Sequence, residues 1–193
     1  MSNFYTLISL ATITAALTLS GCQQFTHTPL TTIPSLNPGQ NQFSLEGKIG
    51  VRTPQQSGSA YFTWVQNQAQ FSLQINGALG VGKTIIEGQP GQVSLNSAKT
   101  GLITAASPEE LLEQATGWTA PITYLVDWVQ ARPATAAAQL QRDDSNRIIQ
   151  IQEQDWLVDL SYLDAATLPN RLILKQQLED GQENRITLVI QNR

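Results

Sequence analysis

One cysteine, Cys22, and one histidine, His27, are all that this chain of 193 residues has of the two side chains most used for metal and nucleophilic chemistry. A single cysteine excludes a disulfide framework. A lone histidine in a polar, proline-bearing stretch leaves no positioned base for a nucleophile. Charge is scarce too: Asp, Glu, Lys and Arg make up 13% of the chain, about half of the ~25% usual in a soluble domain. The net charge is -4 and no basic cluster is present, which excludes a nucleic-acid partner. Past residue 21 no apolar run is long enough to span a bilayer. No Asp/Glu/His/Cys group has metal-ligand spacing. The paired carboxylates Glu109-Glu110 and Asp143-Asp144 read as a solvated helix start and a solvated turn. Neither an enzyme nor a cofactor is expected, apart from covalent lipid.

What is present begins with an apolar run, Leu7 to Leu19, closing on Leu19-Ser20-Gly21-Cys22. Small residues after a helical apolar region have the layout of a secretory signal peptide and its cleavage site. Met1 to Tyr5 carries no Lys or Arg, so either the α-amino group alone orients the segment or the true start differs. Residues 1–21 are expected to be removed, leaving Cys22 as a lipidated N-terminus. Residues 22–42, with Pro29, Pro34 and Pro38 among Thr, Gln and Asn, form a tether with no apolar period. The folded domain is expected over 43–193.

From Phe43 the hydrophobic period is two. Phe43, Leu45, Ile49 and Val51 alternate with polar residues, as do Phe71, Leu73 and Ile75. Between them Phe62 and Trp64 share one face, with Tyr61 and Val65 on the other. Shorter strands are expected at 84–87, 92–95 and 101–104, the first two joined by a Pro90-Gly91 turn. Strands resume near Gln139. Ile149 and Ile151 alternate with glutamines, Trp156, Val158 and Leu160 follow, then Leu172 and Leu174, and Ile186, Leu188 and Ile190. Asp180-Gly181 between the last two runs marks a hairpin. The pattern predicts an antiparallel meander closing toward a barrel.

One insertion breaks it. Ser107-Pro108-Glu109-Glu110 is a capping box with Pro at the first helical position. Leu111, Ala115 and Trp118 then share a helical face, and Gly117 ends the helix. A second helix is expected from Pro121 to Pro133, with Ile122, Leu125, Val126 and Val129 in an i, i+3, i+4, i+7 stripe widened by Tyr124 and Trp128.

Gly77-Ala78-Leu79-Gly80-Val81-Gly82-Lys83-Thr84 satisfies the phosphate-loop string G-x-x-x-x-G-K-T. That loop needs a helix after it, whose N-terminus and N–H groups cradle phosphate. Ile85-Ile86-Glu87-Gly88-Gln89-Pro90 permits none, so the stretch reads as a glycine-rich turn between strands. From pattern alone Leu79 is either tucked under the sheet or pushed into solvent.

Three features together resemble the outer-membrane lipoprotein receptor family LolB. They are the lipobox with Gln23 after Cys22, the turn Ile75-Asn76-Gly77-Ala78-Leu79-Gly80, and the Pro-bounded segment Pro121 to Pro133 with Leu125 and Trp128. Ala78 stands where the family has Pro. The resemblance implies an unclosed antiparallel barrel of about eleven strands covered by short helices. It also implies a periplasmic donor, LolA, lipoprotein acyl chains as cargo, and an outer-membrane position held by lipid on Cys22. The family's protruding apolar residue corresponds to Leu79, expected to be exposed and to deliver cargo to the bilayer. Candidates for lining an acyl-chain cavity are Phe62, Trp64, Leu73, Ile75, Trp118, Leu125, Trp128, Val129 and Trp156, each with ordinary core packing as its alternative. A monomer is expected. The competing function is a lipid-anchored structural or assembly factor that binds an outer-membrane protein and holds no acyl chain.

Overall fold

The computed structural model describes residues 41–77 and 82–193. The signal segment, Cys22, the tether up to Gln40 with His27, and Leu79 lie outside the described residues, while Gln42, expected as the tether's last residue, already belongs to the first strand. Within them the chain folds as β1 (Gln42–Arg52), β2 (Ser57–Asn67), β3 (Gln70–Asn76), β4 (Lys83–Gln89), β5 (Gln92–Ser97), β6 (Gly101–Ala105), α1 (Pro108–Thr116), a 3-10 turn (Ile122–Tyr124), α2 (Leu125–Trp128), β7 (Gln139–Arg142), β8 (Ile148–Glu153), β9 (Trp156–Ser161), β10 (Arg171–Gln177) and β11 (Glu183–Asn192). All eleven strands join one antiparallel sheet in the order β6-β5-β4-β3-β2-β1-β11-β10-β9-β8-β7. The sheet is not closed: β6 and β7 are its two edges. They are also neighbours in sequence, so the link 106–138 has to cross from one edge to the other, and this link carries the helices.

Register makes the inner face. Leu45, Trp64, Leu73, Ile86, Leu95 and Ile103 pair across six strands in one row. The other half contributes Trp156, Val158, Leu160, Leu172, Leu174, Ile186, Leu188 and Ile190, all buried. Two glycines allow close approach. A Cβ on Gly47 would fall 2.0 Å from the Val189 carbonyl oxygen, where the β1–β11 register shifts, and one on Gly88 would fall 2.5 Å from that of Gln92.

Lys83 and Thr84 open β4, so a strand and not a helix follows the phosphate-loop string. Two expectations fail locally. Ile149 is exposed, and Ile148 takes the inward place beside Ile151. The cause is a bulge: Gln141 pairs with Gln150 but Arg142 pairs with Ile148, which skips Ile149 and reverses the facing. The helix expected from Pro121 to Pro133 is also much shorter, one 3-10 turn and one α-turn ending at Trp128. Ala131 turns left-handed at φ 54°, and the N–H groups of Gln130 and Arg132 both go to the Asp127 carbonyl, which folds the chain back.

The first helix forms as its sequence dictates. Ser107 Oγ accepts from Glu110 N at 3.1 Å, and Gly117, at φ 78°, donates to the Glu113 carbonyl. Glu110 reaches past the cap to the Ala106 N–H at 2.9 Å. Glu109 accepts from the Thr123 N–H at 2.6 Å and joins α1 to the turn that follows. Both carboxylates are structural acceptors, not merely solvated charge. Leu111 of α1 packs with Val93 and Leu95. Trp118, beyond the helix end, turns to the main core with Leu112.

Candidate functional site: an apolar cavity under the helical link

Between the inner face of β1–β4 and the segment 122–127 lies a cavity of about 650 Å³. The sheet side is Ile49, Phe62, Trp64, Phe71, Leu73, Ile75 and Leu188, and the cover side is Ile122, Leu125 and Val126. The sheet places them by its period of two: Phe62 pairs with Ile75 and Trp64 with Leu73, so the four stand on one inward patch. Leu73 and Ile75 are only half-buried, because the short cover leaves room above them. Phe43 meets Trp64 edge-to-face, with ring centroids 4.9 Å apart, and fixes that wall. A second hollow of about 610 Å³ runs along the sheet's opposite face, past Val65, Ser72, Glu87, Ser94 and Thr104. It is open and of mixed polarity, with Val65, Phe71 and Val93 beside its polar side chains.

Of the residues singled out from sequence, Phe62, Trp64, Leu73, Ile75 and Leu125 line the cavity. Trp128, Val129 and Trp156 do not. They are almost wholly inaccessible and belong to the packed core beneath the cover. Trp118 is partly buried against that core and is not among the lining residues. The sequence reading missed Ile49, Phe71, Ile122, Val126 and Leu188 as lining, although all five already belonged to its apolar stripes or terminal strand. Only the tertiary gap separates lining from packing.

The cover is held by a residue that sequence reading passed over. Glu153 at the end of β8 is 2% exposed. Its carboxylate accepts from Trp128 Nε1 at 2.7 Å, from Ala134 N at 3.0 Å and from Thr135 N. Burial alone would raise its pKa, but the hydrogen bonds from Thr135, Trp128 and Ala134 outweigh that and hold the carboxyl below its ordinary value. An acid two residues after Ile151, on the inward phase of the strand, was the available signal. Gln154 Nε2 donates to the Tyr124 hydroxyl at 2.9 Å, and Arg193 Nη2 donates to the Val129 carbonyl at 2.8 Å. β8 and the C-terminus thus pin the segment from below.

A second set of bonds runs along one end of the cavity. Trp64 Nε1 donates to Gln66 Oε1 (3.0 Å), Gln66 Nε2 to the Gln68 carbonyl (2.9 Å), and the Gln68 N–H to the Asn41 carbonyl (2.7 Å). Arg132 Nη2 donates to both Asn41 Oδ1 (2.8 Å) and Asp127 Oδ1 (2.7 Å). Asn41, Gln66, Gln68 and Asp127 all line the cavity. Strand direction puts this belt at the end where Asn41 leads into β1, and puts Gly77 and Gly82, which flank Leu79 in sequence, at the other end.

A half-open antiparallel barrel with an apolar cavity beneath a short helical cover is the class of protein that these elements define. Residues 41–192 match the model of the family described as outer membrane lipoprotein LolB. The chain is 37% identical over 154 residues to the outer-membrane lipoprotein LolB of Stutzerimonas stutzeri, an alignment covering 78% of this chain and 72% of that one. It is 35% identical over 156 residues to that of Pseudomonas fluorescens (79% and 74%). Against that of Pseudomonas aeruginosa it is 34% identical over 154 residues (78% and 73%). The chain belongs to the LolB family of outer-membrane lipoproteins, and is a receptor in lipoprotein localisation and not an enzyme.

Proposed function

We propose that the receptor works by sheltering acyl chains in the cavity between β1–β4 and the helical cover. Lipoproteins are its cargo and the periplasmic carrier LolA is its donor. The supporting observation is the patch of Phe62, Trp64, Leu73, Ile75 and Leu125 around unfilled space, with Leu73 and Ile75 left half-open. Each methylene kept from water is worth ~0.8 kcal/mol, so a chain of roughly 16 carbons costs on the order of 10 kcal/mol to expose. A methylene takes about the space of a water, ~30 Å³, so such a chain needs roughly 480 Å³. The cavity of about 650 Å³ accepts one chain, and a cargo with three requires the cover to move. No nucleotide drives transfer. Direction comes from affinity, at ~1.4 kcal/mol for each tenfold preference.

In this reading residues 1–21 are removed, Cys22 carries the lipid anchor, residues 22–42 are the tether and 43–193 the working domain, a monomer. Leu79, on the loop between β3 and β4, enters the bilayer as cargo leaves.

Displacement of an apolar fluorescent dye by palmitate tests the cavity. Leu73→Glu places a carboxylate on its wall at a half-exposed position, so the fold is retained and palmitate affinity falls tenfold or more, to about the cost of an unpaired charge on an apolar surface. Equal affinity in the two proteins would remove the cavity from the function. For Leu79→Glu, uptake from the carrier is retained and release into liposomes fails. Normal release would take Leu79 out of the mechanism.

A further inference from the structure

An acyl chain attached to a lipoprotein does not end in hydrocarbon. Within a few atoms it carries ester and amide carbonyls, which accept hydrogen bonds and lose water as the chain is drawn in. The cavity wall of Phe62, Leu73, Ile75 and Leu125 has nothing to offer them, but its Asn41 end has. There Arg132, itself just outside the lining, spans two residues that are part of it, Asp127 on the cover and Asn41 before β1, using only Nη2 for both bonds. Nη1 and Nε have no acceptor among the described residues, and the side chain is one-third exposed. The acceptors Arg132 does hold keep the guanidinium in place, and its fork presents donors suited to a pair of carbonyl oxygens.

We infer that Arg132, held between Asp127 and Asn41, is a specificity subsite for the carbonyl-rich linkage that joins acyl chains to glycerol and cysteine. The inference rests on the acyl-chain reading of the cavity and adds to it a means of telling a lipidated cysteine from a bare hydrocarbon. An uncharged long-chain alcohol fills the cavity without the carbonyl pair, whereas a fatty acid would offer its own carboxylate to the guanidinium. A diacylglyceryl-cysteine peptide engages both. A phospholipid offers the same ester pair without the cysteine amide.

The test measures dye displacement by three probes: hexadecanol, a synthetic triacylated Cys-Ser peptide, and short-chain phosphatidylethanolamine. It uses the folded receptor, Arg132→Ala and Arg132→Lys. Lysine keeps the cation beside Asp127, and so the tie to the cover, but lacks the planar fork. The expected result is that the ratio of lipopeptide to hexadecanol affinity falls about tenfold in Arg132→Ala, the loss of a charge-assisted hydrogen bond. In Arg132→Lys it falls several-fold, with an unchanged melting temperature. A parallel loss for phosphatidylethanolamine assigns recognition to the esters, and a loss confined to the lipopeptide assigns it to the cysteine amide. An unchanged ratio in both variants overturns the subsite and leaves the cavity reading standing, as does an equal loss for all three probes, which would make Arg132 only a structural tie. Failure of the unaltered receptor to bind hexadecanol overturns the cavity reading itself.

Discussion

Glu153 shows how one side chain fixes the relation between cover and barrel. A carboxylate at 2% exposure is stable only because three N–H groups converge on it from Trp128, Ala134 and Thr135. Glu153→Ala leaves those donors unpaired and is expected to cost about 3 kcal/mol, read as a lower urea midpoint at constant slope. Because hydrogen bonding holds its folded pKa below the unfolded value, its contribution is complete above the ordinary carboxyl range, near ~4.3. It is lost as pH falls through the lower folded value. Asp159, against its own burial, is shifted the same way by Lys175 and Gln150. Glu153→Gln should therefore remove part, not all, of the stability lost on acidification, measured by urea unfolding between neutral pH and pH ~3. Ala131 is the opposite case, a side chain where none is wanted. At φ 54° its Cβ opposes the left-handed turn that ends the cover. Relief of ~1–2 kcal/mol of strain against up to ~1 kcal/mol of added unfolded-chain entropy gives Ala131→Gly a net gain of about 0.5 kcal/mol. A higher melting temperature would show it.

At the scale of elements, the link 106–138 behaves as two unequal parts. Its first part, α1, is locally encoded: Ser107 caps, Pro108 starts and Gly117 stops it, and the structure repeats those three assignments. Ser107→Ala should cost ~1 kcal/mol, and hydrogen exchange should rise at the Glu110 amide before it rises in the sheet. The second part has a helical stripe in sequence but only a 3-10 turn and one α-turn in the fold. Beyond its own short turns, its bonds go outward, to Glu109, Glu153, Gln154 and Arg193. Periodicity reports which residues face inward, and Leu125, Trp128 and Val129 do so. It does not report whether the backbone closes its own turns or borrows partners from a sheet, because those partners lie far away in sequence. The same limit governs Ile149. A bulge is set by how β7 meets β8, and the alternation within β8 alone points the wrong residue inward.

For the whole molecule, the open sheet and its cover account for binding without chemistry. Burial of hydrocarbon in an apolar cavity should give palmitate uptake a negative heat-capacity change. The affinity of an uncharged C16 alcohol should move less than about twofold between low and ~0.5 M salt, since it makes no ion pair. Titration calorimetry over a range of temperatures and salt concentrations measures both. A strong salt dependence would point instead to a charged docking surface. The succession of strands and turns and the place of the helical insertion were readable from alternation and turn residues, because each is set by neighbours a few positions apart, whereas the pairing of β1 with β11 and the choice of inward face were not. Composition alone turned the reading away from catalysis, by supplying one histidine and one cysteine. What only the tertiary structure decided is which apolar residues touch one another and which border empty space. Trp128 and Trp156 are core, whereas Trp64 and Leu73, with the same pattern, face the cavity. That difference depends on how far a short cover stands off a curved sheet, a distance fixed by Glu153, Arg132 and Arg193 from remote parts of the chain, and no local pattern contains it.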